Sequence, residues 1–311
     1  MIGTITLNPC IDKTLVINGF TYGGMNRVSS KRADVSGKGI NVSIALTQIG
    51  VPVRTFGINY RNGAQLLNAG LEEIGITYES VMTEGTLREN MKVMDEETSV
   101  TTELNQKGDF VDGEKLAEFE SLLDAQLEAL DILVITGSVP QGVPTDYYRA
   151  LVEKANARGV RTILDAEGEL LLRGMEARPY LIKPNLYEFE TAFGLKTKDM
   201  KDILAICRKI IADGVKVVCL SMGGDGALIA DEKEAYLCRP TPIEVKSTQG
   251  AGDSLVAGMC IAMEKGLPIS EMLRYGVSTA QGSLIREGTQ LCTKEGFEHF
   301  EQIVTVEKIE E

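Results

Sequence analysis

Two stretches, Ile132-Leu133-Val134-Ile135 and Val215-Lys216-Val217-Val218-Cys219-Leu220, are apolar almost without interruption. Strands of this kind have both faces buried, which is the condition of a central strand in a parallel sheet. Shorter apolar runs at 2–7, 53–57, 161–165, 180–183 and 227–230 read as further strands. Helix-period runs lie between them at 40–49, 64–74, 113–130, 145–158, 200–213, 254–265 and 271–285. Strand–helix alternation over 311 residues predicts a single α/β domain spanning 1–311. Its central sheet is expected to be mostly parallel, with helices on both faces.

Two segments break the alternation, at about 14–35 and 87–104. They carry period-two patterns with no helix between them, as in Asn26-Arg27-Val28-Ser29-Ser30 and Ser99-Val100-Thr101-Thr102-Glu103-Leu104. They predict a small antiparallel β sheet beside the main domain. Such a sheet serves as a lid that keeps water from a reactive phosphate, or as the contact of a homodimer, or as both.

The run Ser247-Thr248-Gln249-Gly250-Ala251-Gly252-Asp253-Ser254 leads small residues into an acid that opens an apolar helix. Backbone N–H groups at a helix start attract negative charge, and glycine lets the backbone approach a ligand closely. Asp253 stands beside this cradle, where it can take a proton from a hydroxyl. A base next to an anion hole is what phosphoryl transfer to an alcohol requires. Taken alone, the same run serves equally well as a glycine-rich turn capped by an aspartate.

Polar clusters follow several of the strands. They include Asn8-Pro9-Cys10-Ile11-Asp12, Gly137-Ser138-Val139-Pro140, Asp165-Ala166-Glu167-Gly168, Lys183-Pro184-Asn185-Leu186-Tyr187-Glu188 and Ser221-Met222-Gly223-Gly224-Asp225-Gly226. Each on its own reads as a turn. Aligned on the carboxyl edge of one parallel sheet they form a cleft. Ser36-Gly37-Lys38-Gly39-Ile40-Asn41 opens a helix without being a Walker loop, because Gly39 stands where Ser or Thr is needed. On a strand, Arg88, Asn90 and Lys92 project from one face and can clasp a phosphate, unless they are merely solvated charges. Arg27 can join them from the neighbouring strand.

A net charge of −13 at pH 7 argues against nucleic-acid or anionic-membrane partners. The six cysteines show no CxxC pair and sit mostly in apolar runs, which suits buried thiols in a reducing cytosol. The single histidine, His299, makes a Ser-His-Asp triad or a multi-histidine metal site improbable. No signal peptide or membrane span is expected, and the expected location is the cytoplasm.

Together these residues resemble the ribokinase/PfkB carbohydrate kinase family over nearly the whole chain. The similarity is greatest to its sugar-phosphate branch, that of 1-phosphofructokinase and tagatose-6-phosphate kinase. The carrying motifs are Thr6 to Thr14, Gly37-Lys38-Gly39-Ile40-Asn41-Val42, the Arg88/Asn90/Lys92 strand, Gly137 to Pro140, Lys183-Pro184-Asn185 with Glu188, and Gly250-Ala251-Gly252-Asp253. The resemblance implies a ribokinase-like fold, with ATP and Mg²⁺ as cofactors and a phosphosugar as partner. It implies Asp253 as the catalytic base and the backbone of Gly250, Ala251 and Gly252 as the anion hole. It places Asp12, Gly37, Lys38, Asn41, Asn90 and Ser138 at the sugar, and Arg88, Lys92, Arg27 and Lys38 at its phosphate. Lys183, Asn185, Ser221, Gly223, Gly226 and Gly282 fall to the nucleotide, and Asn185 and Glu188 to Mg²⁺ through water. The chain departs from the family pattern at Ser36, Leu87, Ala166, Glu167 and Gln249.

The reaction this implies is phosphorylation of fructose 1-phosphate to fructose 1,6-bisphosphate, with tagatose 6-phosphate and then fructose 6-phosphate as alternative acceptors. A rival of another class is a sugar-phosphate sensor with no catalysis, against which the retained Asp253 argues.

Overall fold

The computed structural model describes residues 1–195 and 199–310. The chain opens with β1 (Ile2–Thr6), β2 (Cys10–Ile17), β3 (Val28–Ser36), α1 (Lys38–Ile49), β4 (Val53–Asn62), α2 (Ala64–Ile74), β5 (Tyr78–Thr86), β6 (Arg88–Asp95) and β7 (Val100–Leu104). It continues through α3 (Gly113–Leu127), β8 (Ile132–Thr136), α4 (Tyr147–Asn156), β9 (Arg161–Asp165), α5 (Gly168–Glu176), β10 (Leu181–Ile182), α6 (Leu186–Phe193) and α7 (Met200–Ala212). It closes with β11 (Val217–Ser221), β12 (Ala227–Ala230), β13 (Ala235–Cys238), α8 (Ala251–Glu264), α9 (Ile269–Leu284), α10 (Lys294–Ile303) and β14 (Glu307–Lys308).

A 10-stranded sheet has the order β14-β13-β12-β11-β10-β9-β8-β1-β4-β5. From β11 to β5 neighbouring strands are parallel, while β12, β13 and β14 extend the edge antiparallel. Every residue of β1 and β8 is buried, as befits central strands covered on both faces, with Thr4, Thr6 and Thr136 among the buried polar groups. Helix α8 is buried from Asp253 to Met263, because a helix apolar on all sides must lie inside. It packs against α9 and α1.

The chain lays β4 and β5 on one side of β1, then crosses to β8 and moves outward through β9, β10 and β11 on the other. The winding thus reverses between β1 and β8. Loops beyond such a reversal diverge and leave a crevice at the carboxyl ends of the strands. Asn8 and Ser138 stand there, just beyond the two strand ends.

The second sheet has the order β3-β2-β6-β7. Its outer pairs are antiparallel and its central pair, β2 with β6, is parallel. The connections explain this. β2 follows β1 and β6 follows β5 after very short links, and both leave body strands that point the same way. The sheet begins at Cys10, earlier than the residue-14 boundary read from the sequence, because the polar cluster after β1 is itself strand. β7 is exposed along its whole length.

The strand expected at 180–183 contracts to Leu181–Ile182, between Pro179 and Pro184, neither of which can donate to a ladder. The sequence reading did not anticipate β5, α5, α6, α10, β13 or β14. All six cysteines are free and buried, as expected. Among the described residues no helix is long and apolar enough to cross a membrane.

Candidate active site

Two cavities lie along the crevice, one of about 580 Å³ and one of about 830 Å³. The first is lined by Asp12, Gly37, Asn41, Arg88, Asn90, Lys92 and Ser138. The second is lined by Lys183, Asn185, Glu188, Ser221, Gly223, Gly226, Ala251 and Gly252. Lys38, Gly250 and Asp253 line both, so the cavities meet at these three residues.

Gly250 caps α8 with φ 70°, a left-handed conformation that favours glycine. The first bond of the helix runs from Ser254 N–H to Gly250 O at 2.8 Å. The amides of Ala251, Gly252 and Asp253 precede it and point out of the helix start. Asp253 is buried, and one of its oxygens, Oδ2, accepts a hydrogen bond from Asn41 Nδ2 at 2.7 Å. Burial pushes the Asp253 carboxyl up to about 6. The Lys38 ammonium and the Asn41 bond oppose that rise, while Asp165 adds to it. The result is a carboxylate poised to take and release a proton near neutrality.

Asp165, at the end of β9, is buried between two cations. Lys183 Nζ lies 3.2 Å and Lys38 Nζ 3.5 Å from its Oδ1, and Thr136 Oγ1 donates to Oδ2 at 3.3 Å. Burial works against its ionisation, but Lys183 and Lys38 hold the carboxyl below its ordinary value. Asp165 in turn raises Lys38, more than desolvation lowers it. Lys38 therefore stays charged at the junction of the cavities. The sequence reading ended a strand at Asp165 and counted its cluster among those that form the cleft, but gave Asp165 no role of its own. Its place at the carboxyl end of a central strand was the signal that could have found it.

In the first cavity, the parallel register of β2 and β6 sets Cys10 opposite Arg88 and Asp12 opposite Asn90. Asp12 is buried and accepts from Lys92 Nζ at 2.9 Å and Asn90 Nδ2 at 3.0 Å. Burial disfavours its charge, but Lys92 and Asn90 prevail and hold the carboxyl below its ordinary range. Arg88 donates from Nη2 to Asn8 O at 2.9 Å and from Nη1 to Gln106 O at 3.0 Å. Asn8 Nδ2 donates to Ser138 Oγ at 3.0 Å, tying the ends of β1 and β8 together across the crevice. Burial raises the Cys10 thiol to about 12, so it stays protonated and unreactive.

In the second cavity, Asn185 caps α6. Its Oδ1 accepts from Glu188 N–H at 2.8 Å, and Glu188 Oε2 accepts from Asn185 N–H at 2.8 Å. This capping box fixes both side chains at the cavity wall. Among the described residues no cluster of three or more His, Cys, Asp or Glu could enclose a metal. One positioned carboxylate beside a phosphate-sized space suits Mg²⁺, which keeps waters and phosphate oxygens as ligands.

Two expected residues fall outside the cavities. Arg27 is exposed on the segment ahead of β3 and lines neither. Gly282 faces the other side of α9, where a Cβ would lie 2.3 Å from Cys292 Sγ. Its neighbours Ala280, Gln281 and Leu284 line the second cavity instead. Lys107 and Gln249 line the first cavity although the sequence reading did not place them in the site.

The family model for pfkB family carbohydrate kinase matches residues 5–295. The chain is 32% identical over 299 residues to a 1-phosphofructokinase of Bacillus subtilis, covering 95% of each protein. It is 29% identical over 311 residues to a tagatose-6-phosphate kinase of Staphylococcus epidermidis, covering 99% of this chain and 100% of that one. Phosphofructokinase-2 of Escherichia coli, solved with substrates and products, superposes with a TM-score of 0.91 at 26% identity, over 97% and 99% of the two chains. A ribokinase of Thermotoga maritima, 20% identical with a TM-score of 0.77, covers 97% and 99% and shares the fold.

Proposed function

The chain belongs to the pfkB family of carbohydrate kinases and is a sugar-phosphate kinase, and from that premise we propose that it transfers the γ-phosphoryl group of ATP to fructose 1-phosphate, yielding fructose 1,6-bisphosphate and ADP. The observation that carries this reading is the meeting of the two cavities at Asp253, Gly250 and Lys38. The sugar phosphate occupies the first cavity and ATP the second, so the reacting groups come together over the start of α8.

Asp253 takes the proton of the acceptor hydroxyl as its oxygen attacks the γ-phosphorus. The bond from the γ-phosphorus to the bridging oxygen breaks, and ADP leaves. Negative charge on the transferring group faces the amides of Ala251, Gly252 and Asp253, with Lys38 beside them. Asp12, with one oxygen held by Asn90 and the other by Lys92, stays ionised and accepts from sugar hydroxyls. Asn185 and Glu188 would hold Mg²⁺ through water, and the ion would neutralise charge on the β- and γ-phosphate oxygens.

The 1-phosphofructokinase relative supports the choice of acceptor. The Staphylococcus relative supports tagatose 6-phosphate as the second reading. ADP release measured with ATP and each of fructose 1-phosphate, tagatose 6-phosphate and fructose 6-phosphate tests both. The highest kcat/KM is expected with fructose 1-phosphate. A higher value with tagatose 6-phosphate replaces the acceptor, and binding without any ADP release makes the protein a sensor.

A further inference from the structure

We propose that Lys107 is a binding residue for the acceptor, its ammonium joining the Arg88 guanidinium to receive the phosphate the acceptor already carries. The inference rests on the reading of the first cavity as the phosphosugar site.

A dianion needs uncompensated positive charge, and the cavity's cations are not equivalent. Lys38, Arg88, Lys92 and Lys107 all line it. Lys92 is closed into an ion pair with Asp12 at 2.9 Å, both side chains nearly buried at 9% and 6% exposure. Lys38 leans on Asp165. Among the described residues Arg88 donates only to neutral acceptors, the carbonyls of Asn8 and Gln106 and the amide oxygen of Asn90. Among the described residues the Lys107 ammonium has no hydrogen-bond or ion-pair partner. The free charge in this cavity is therefore Arg88 and Lys107.

The backbone holds the two together. Arg88 Nη1 grips the carbonyl of Gln106, one residue from Lys107. Asn8 Nδ2 donates to Lys107 O at 3.1 Å, and Gln141 Nε2 donates to Gly108 O at 2.9 Å. Gly108 has φ +85°, and a Cβ there would lie 2.3 Å from Asn8 Oδ1, so this turn needs its glycine. The segment is pinned at the cavity rim while the lysine side chain stays free to close on a ligand. Two further carboxylates line the cavity, Glu103, engaged by Asn105 Nδ2 at 3.3 Å, and Glu167, whose charge acts on Lys38. Lys107 and Arg88 line the first cavity and not the second, so their charge acts on the acceptor and not on ATP. A fork and a flexible ammonium together fit a terminal phosphate.

The test is calorimetric titration of the full chain with fructose 1-phosphate, tagatose 6-phosphate and a non-hydrolysable ATP analogue, on wild type, Lys107→Met and Lys107→Arg. Lys107→Met is expected to weaken the better-bound sugar phosphate by about tenfold or more, a gap that narrows with added salt. Lys107→Arg is expected to keep binding within about threefold, and analogue binding should not change in either variant. The inference is overturned if Lys107→Met binds like wild type, if Lys107→Arg is as weak as Lys107→Met, if the analogue loses equally, or if wild type binds neither sugar phosphate. ADP release judges the kinase reading separately. Wild type that binds without turnover sinks that reading alone, while an unimpaired Lys107→Met sinks this one alone.

Discussion

Asn41 Nδ2 donates to Asp253 Oδ2 at 2.7 Å, joining α1 to α8 across 212 residues of sequence. Helix α1 also carries Lys38 at its first position. One helix thus orients the Asp253 carboxylate and sets a cation beside it. The other carboxylate oxygen, Oδ1, has no hydrogen bond among the described residues and is the one that would meet the acceptor proton in the proposed reaction.

Asp253→Asn keeps the shape and the Asn41 contact but cannot accept a proton. We expect kcat to fall by about 10²–10⁴-fold with the KM for the phosphosugar little changed. Steady-state kinetics decide it; a loss under about tenfold means another group takes the proton.

In the proposed reaction Asp253 works ionised, and burial raises its carboxyl to about 6. The rate should therefore fall as pH drops below about 6 and level off above it. The substrate phosphate titrates in the same region, so the wild-type profile alone is ambiguous. Asn41→Ala resolves this, because it removes a bond that favours the ionised carboxylate. Its kcat profile should shift to higher pH, roughly by several tenths of a unit. An unmoved acid limb would take Asp253 out of the titration.

The same burial has a thermodynamic side. Asp253 is harder to ionise in the folded chain than in the unfolded one. Its stabilising contribution is present below the unfolded value of 3.8 and is lost as pH rises through about 6. Asp253→Asn should therefore raise Tm by about a few degrees at pH 7.5 and leave it nearly unchanged near pH 4. Scanning calorimetry at both values checks this; a lower Tm at pH 7.5 contradicts it.

Gly282→Ala separates packing from nucleotide binding. The added Cβ would meet Cys292 Sγ at 2.3 Å, so a cost of about 1–3 kcal/mol is expected. Thermal melts should show that loss while the KM for ATP stays within about twofold. A raised KM without loss of stability would return Gly282 to the nucleotide site.

Much of the site was legible because its signals are local. Gly250 to Asp253 announce a helix start in their own order of residues, whereas Asn185 and Glu188 entered only through the family resemblance, and their capping box appeared with α6. The apolar runs at β8 and β11 define central strands without help from distant residues. What was not legible depends on pairing between distant segments. Alternation on β6 shows that Arg88, Asn90 and Lys92 share a face, but only the parallel register with β2 reveals that Asp12 compensates Lys92. A glycine on a helix face serves close approach of a ligand or of a neighbour, and Gly282 serves the neighbour. Asp165 looks like a turn residue until Lys38 and Lys183 converge on it from separate elements.

The chain passes between the two sheets four times, at 7–9, 37, 87 and 105–112. Each passage carries or adjoins a residue of the first cavity, namely Asn8, Lys38, Arg88 and Lys107. The four crossings that join the sheets are thus also walls of the cavity, so a change of sequence at any of them bears on the seating of the small sheet and on the cavity at once.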